Sequence, residues 1–260
     1  PPPPPAELAA YADRLGLGHK PGDPDGERPG ARHLEASRFL RATSGDGRGF
    51  LLMDAGGPWP PYQPGHSHSE VLSVELSLDG LRTIVNSGVS TYEPGEERLR
   101  QRQTAAHSTV RIDGEEQSEL WLSHRCGSRC SGTTAGAREG VVWGEHDAYA
   151  RLRGRPLHRR TVRLNEGVTI EDRLSGEGEH LAEWFFHLHP LVGAEVDGSE
   201  VKLRRDGHTI GRIIFPAGSD VRTEKGTWHP GFNLSVDNVR IVACRFVELP
   251  DTVKIRLEWE

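Results

Sequence analysis

The sequence predicts an all-β fold, a multi-stranded antiparallel β-sandwich preceded by one short N-terminal helix. Three observations carry this expectation. Runs of strand length with apolar or alternating character recur along the chain, Asp-Gly and similar pairs separate them, and 31 glycines and 18 prolines in 260 residues interrupt the chain too often for long helices. A chain of this length buries a sizeable core, and a single sandwich domain of that size is ordinary.

Leu8, Tyr11, Ala12 and Leu15 recur at helical spacing and Gly16 follows as a cap, so residues 6–15 form the expected helix. Residues 18–31 are turn-forming and charged without apolar periodicity, which reads as a linker. Residues 1–31 are therefore expected to be the end of a preceding helical domain plus a linker, and residues 32–260 the β-sandwich. The chain opens on Pro1 to Pro5 and its one methionine is Met53, so a segment of a longer protein is expected. Strands are expected at 50–54, 71–78, 81–86, 109–112, 161–164, 168–172, 184–189, 210–215 and 239–246. The clearest hairpin joins 71–78 to 81–86 through Asp79-Gly80, with Leu72, Val74, Leu76 and Leu78 on one face and Ser73, Glu75 and Ser77 on the other. That register sets Ser73 opposite Asn86, so bringing Asn86 to the face of His68 requires a bulge near Glu70.

A net charge of -6 and a pI near 6.1 argue against a nucleic-acid binder, which needs a basic field. No apolar run reaches the roughly 18 residues of a membrane-spanning helix. Cys126 and Cys130 on one extended strand would lie about 13 Å apart, too far to bond.

His66 and His68 stand two apart before the hairpin, so an extended backbone sends both imidazoles to one side, with Glu70 next. Imidazole both binds zinc and moves protons near neutral pH, so the pair serves either chemistry. Arg98, Arg100 and Arg102 occupy alternate positions; in an extended backbone all three would point at an anionic polymer, or else form a solvated charged stretch offsetting Glu96 and Glu97. Arg125 and Arg129 carry the same two readings. His187 and His189 share a face but lie among Trp184, Phe185, Phe186 and Leu188, which favours packing. No phosphate-cradling glycine loop, nucleophile elbow or zinc-finger spacing is present.

Three blocks in order, Pro64-Gly65-His66-Ser67-His68-Ser69-Glu70 running into Val71 to Leu76, Val85-Asn86-Ser87-Gly88 with Thr91-Tyr92, and Thr104-Ala105-Ala106-His107-Ser108-Thr109-Val110, resemble the signature of heparinase II/III-type polysaccharide lyases. The likeness covers most of residues 36–190. It implies a β-sandwich that forms a cleft with a preceding helical toroid domain, and β-elimination of acidic, uronic-acid polysaccharides such as glycosaminoglycans or alginate. It also implies a bacterial, secreted or periplasmic setting. His66 is implied to act at the substrate, Tyr92 to line the cleft, and His68 and His107 to bind zinc with an aspartate whose position falls here on Asn86. That departure from the family pattern weakens the ligand set, since an amide oxygen is a poorer zinc ligand than a carboxylate, and Glu70 is the alternative carboxylate. The family's remaining catalytic groups lie on the toroid, so this segment alone is expected to be inactive. Two alternatives stand beside the lyase: a non-catalytic carbohydrate-binding or scaffold sandwich, and a cupin-like metal enzyme.

Overall fold

The computed structural model describes residues 10, 11, 13–16, 30–57, 62–128 and 130–259. Residues 10, 11, 13 and 14 are helical and Leu15 is a turn; residues 6–9 and 12 of the expected N-terminal helix, residues 18–29 of the linker and Arg129 lie outside the described residues. From Gly30 on, strands dominate and lie in two main sheets, as the turn pattern predicts.

The first sheet is a five-stranded antiparallel meander in chain order: β1 (Gly30–Leu34), β2 (Phe39–Thr43), β3 (Gly49–Asp54), β4 (Val74–Leu78) and β5 (Leu81–Ile84). The second, ten-stranded sheet runs β13 (Gly193–Asp197), β14 (Glu200–Arg205), β15 (His208–Ile214), β17 (Val236–Trp259), β12 (Gly167–His187), β11 (Leu157–Leu164), β10 (Val141–His146) and β9 (Thr133–Arg138). β16 (Asp220–Trp228) pairs with β17 and β6 (Val110–Ile112) with β12; a separate hairpin joins β7 (Leu120–Trp121) to β8 (Arg125–Cys126). Alternate residues of both sheets meet in one core, where Leu40, Leu51, Met53 and Leu76 join Val162, Trp184, Ile241 and Ile255.

Three sequence expectations change. The segments 168–172 and 184–187 belong to one strand, β12, because the intervening Ser-Gly-Glu-Gly stretch is a bulge between Leu174 and Gly178 and not a turn, and the strand ends at His187. Gly176 sits there at φ +134, and a Cβ on it would come within 2.7 Å of the Gly154 carbonyl oxygen. The β4–β5 hairpin turns at Asp79 (φ 52) and Gly80 (φ 75), as expected of a type I′ turn, but its bulge falls at Thr83, where the register passes from Ser77↔Arg82 to Leu76↔Ile84. β4 also starts only at Val74. Leu72, at φ 62, bends the chain so that its amide donates to the Asp54 carbonyl at 2.6 Å.

The consequence is positional. Every residue singled out in the three sequence blocks lies on one of two long connections, 55–73 between β3 and β4 and 85–109 between β5 and β6, and the adjacency of β4 and β5 brings those connections together.

Candidate functional site

Pro64–His66 forms a single 3-10 turn closed by the Ser67 amide on the Pro64 carbonyl, with proline favouring the first helical position. The turn is braced from below by α1 (Glu96–Arg102). Arg98, Arg100 and Arg102 were expected on extended backbone; the helix instead separates them. Arg98 and Arg102, four apart, share its buried face, whereas Arg100 turns away to Glu97 (2.6 Å), Thr227 (2.7 Å) and His229 (3.2 Å). Arg102 donates to the carbonyls of Ser67 (2.8 Å) and Pro64 (2.9 Å) on one side and of Ser123 (2.8 Å) on the other. Arg98 donates to the Gly65 carbonyl at 3.1 Å and contacts His68 Nε2 at 3.1 Å, its guanidinium 4.9 Å from the Tyr92 ring centroid. The two arginines thus fix the histidine turn instead of projecting from the surface.

On this support the two histidines part. His66 is exposed and its ring meets Tyr92 edge-on at 5.0 Å, with Phe232 5.4 Å beyond. His68 points inward, 5.2 Å between ring centroids from the fully buried His107. His68, Glu70 and His107 each offer a ligand atom, all within 4.8 Å of one another. Asn86 takes a different place from the one the resemblance implied. Its side-chain amide donates to Glu70 Oε2 at 3.1 Å while its oxygen accepts from the Gly88 amide at 3.0 Å. An aspartate at 86 could not donate to Glu70, so asparagine at 86 and glutamate at 70 are a matched pair. Gly88 lies at φ +80 with the His229 carbonyl oxygen 2.2 Å from where a Cβ would be, which holds this segment against the second sheet.

The cluster is incompletely satisfied. Both ring nitrogens of His107 lack a hydrogen-bond partner, and its Nδ1 is 3.6 Å from Glu70 Oε2. Burial pushes the His107 imidazole down to about 3; burial, with the neighbouring His107 and Arg98 charges, pushes His68 down to about 2. Both are neutral, lone-pair-bearing groups at physiological pH. Burial raises Glu70, and burial with the Glu70 charge raises Asp54, so two carboxylates here lack a compensating cation. Orphaned nitrogens, neutral imidazoles and an under-compensated carboxylate pair form a donor set that fits a divalent metal ion.

Asp54, His66, His68 and Glu70, with Glu35 and Arg38, line a cavity of about 500 Å³. Asp54 escaped the sequence reading because it ends an ordinary alternating strand; only the turn at Leu72 brings it to Glu70. A second buried group was also missed. Arg160 of β11 pairs with Asp172 of β12 and donates to the carbonyls of Leu72 (2.8 Å) and Ser108 (2.9 Å), one on each site-bearing connection. His187 Nε2–H donates to the Ala105 carbonyl (2.9 Å) and His189 packs 4.9 Å from Trp228, consistent with the packing reading. Cys126, Cys130 and Cys244 form no disulfide among the described residues.

The fold matches solved lyase structures. The heparan sulfate lyase HepC from Pedobacter heparinus aligns with a TM-score of 0.71 at 18% identity over 98% of this chain and 41% of that one. The heparinase III BT4657 gene product aligns at 0.70, with 15% identity over 97% and 40%. A further heparinase III structure aligns at 0.67, with 16% identity over 84% and 35%. The chain thus spans about two fifths of the length of the lyases it resembles. No curated protein sequence matches it. The family model for the heparinase II/III-like C-terminal domain matches residues 26–259, and the chain belongs to that family.

Proposed function

We propose that this domain forms one wall of a lyase cleft for an acidic, uronic-acid polysaccharide, the other wall coming from a helical toroid domain of the same protein. The observation that carries the reading is the separation of roles within one turn: His66 open at the cavity, His68 two residues on and turned into an unsatisfied buried cluster. β-Elimination removes the proton beside the uronate carboxylate, so a group that exchanges protons must reach that carbon while others neutralise the growing charge. His66 is the proton-handling or carboxylate-contacting group. Tyr92, 43% exposed beside it, orients His66 by its edge contact and contributes a phenol to the same face. Arg98 lies against Tyr92 and supplies positive potential behind both.

His68, Glu70 and His107 would hold a zinc ion, with Asn86 orienting Glu70. A bound zinc would neutralise the buried carboxylates and lock the two connections together. Neutral His68 has one lone pair, and the guanidinium of Arg98, which only donates, occupies it at Nε2. Metal and Arg98 therefore compete for His68, and a metal would free Arg98 toward the cleft.

The test is His66→Ala in the protein carrying its toroid domain, with ultraviolet absorbance of unsaturated uronate products as the readout. Loss of turnover with zinc content and melting temperature retained supports the reading; unchanged turnover refutes it. The asparagine at 86 favours a second reading, a carbohydrate-binding sandwich without turnover, which predicts oligosaccharide binding but no unsaturated product.

A further inference from the structure

His66 lies between two recesses of opposite character. The cavity described above includes Glu35, Asp54 and Glu70 in its lining, whereas none of the residues lining the recess on the other side is acidic. That second recess, about 550 Å³, is formed by Tyr62, the His66 turn, Trp121, His124, Arg125 and Cys126. The first sets three carboxyl groups against one arginine, Arg38, and the second sets Arg125 against none, so an anionic sugar is better matched by the second.

The recess is built and not a chance hollow. Trp121 and Arg125 are directly opposite partners in the β7–β8 hairpin, whose turn residues Leu122 and Ser123 both take positive φ (47 and 61). The indole lies on the backbone of Gly127, where a Cβ would meet its Cζ3 at 2.8 Å, yet Trp121 stays 42% exposed. Three contacts hold the hairpin to the 85–109 connection that braces the histidine turn: Arg102 to the Ser123 carbonyl, Ser123 Oγ to the Gly95 carbonyl, and His124 Nε2 to the Tyr92 carbonyl. Arg102 grips the Pro64 and Ser67 carbonyls at the same time, so the distance from His66 to the hairpin is fixed by one buried guanidinium. The Arg125 side chain is exposed and has no hydrogen-bond or ion-pair partner among the described residues.

We propose that this recess is a subsite for the anionic sugar adjoining the one at His66, with Trp121 stacking on the sugar ring and Arg125 taking its carboxylate or sulfate. The inference rests on the lyase reading and sets the direction of the polysaccharide: it runs from the His66 turn over the β7–β8 hairpin, away from the acidic cavity.

Calorimetric titration of the 260-residue chain tests this with a hyaluronan tetrasaccharide (carboxylate only), a heparin tetrasaccharide (carboxylate and sulfate) and cellotetraose (neutral). Trp121→Ala should weaken both anionic ligands about tenfold and Trp121→Phe by less, since stacking survives. Arg125→Ala should weaken the anionic ligands about tenfold, abolish their preference over cellotetraose and lower the salt dependence. The ligand that loses more identifies carboxylate or sulfate as its partner. Binding that all three substitutions leave unchanged overturns the subsite while leaving the lyase reading intact. If the unsubstituted chain binds no anionic tetrasaccharide and the protein with its toroid domain forms no unsaturated product, the lyase reading falls and the subsite with it.

Discussion

Two buried histidine clusters lie within this fold, and they differ in how completely their polar atoms are used. In the first, on β10, β11 and β12, the Ala148 amide donates to His146 Nδ1, which leaves His146 Nε2–H to donate to His158 Nδ1 at 3.2 Å. His158 Nε2–H then donates to Asp172 at 2.7 Å, and Asp172 also accepts both arms of Arg160 and the Trp184 indole. Every lone pair and proton finds a partner, and both imidazoles stay neutral: burial lowers each of them, against the pull of Asp172. In the second cluster, His68, Glu70 and His107 lie within 4.8 Å of one another, yet among the described residues His107 has two idle nitrogens and Glu70 has only Asn86 as a side-chain hydrogen-bond donor. A closed network is a structural element; an open one of the same residue types has donor atoms left over, which is the basis of the zinc proposal.

The largest expected effect breaks the closed network. Asp172→Asn leaves Arg160 buried without its counter-charge and should destabilise the fold by about 3–5 kcal/mol in denaturant unfolding. Since Arg160 also holds the Leu72 and Ser108 carbonyls, the loss should spread to the open cluster and weaken zinc binding as well. A loss under about 1 kcal/mol would mean that the network is not the brace between the two connections.

Next in size, Arg98→Met removes the competitor for the His68 lone pair and a nearby positive charge, so zinc affinity measured against a chromophoric chelator should rise about tenfold. An unchanged affinity would show that Arg98 and metal do not contend for His68.

A third effect is on pH dependence. His68 and His107 ionise at an ordinary 6.5 once unfolded but are held at about 2 and about 3 when folded. The unfolded chain therefore binds more protons as pH falls below 6.5, and the metal-free fold loses stability from there toward about 3. His107→Leu removes one of these groups and should flatten that decline by up to about one proton; a slope that stays the same would place His107 in contact with water.

Much of this was legible in sequence because it is local. Asp79-Gly80 makes its turn whatever surrounds it, and the alternation of Val74, Leu76 and Leu78 chooses a face without help. The three signature blocks brought His66, His68 and His107 into one neighbourhood. What stayed hidden depends on packing or on polar patterns. α1 contains one apolar residue, Leu99, and its buried face is Arg98, Gln101 and Arg102, so hydrophobic periodicity is silent although the 3.6-residue spacing is there in polar side chains. The bulge that carries β12 past Gly176 reads as a turn, because two glycines flanking a glutamate look alike in either setting. Asn86 donating to Glu70 is a contact between residues 16 apart in the chain that no local pattern encodes.

The proposal that a metal closes the open cluster makes a direct thermal prediction. Thermal unfolding of the chain and of His107→Leu, each with and without zinc, tests it most directly. Without metal, His107→Leu should melt at or above the unsubstituted chain, because it removes two buried nitrogens that have no partner. Zinc should raise the melting temperature of the unsubstituted chain, by linkage to the folded state, and leave His107→Leu unmoved. A zinc response absent from the unsubstituted chain, or equal in both, would contradict the claim.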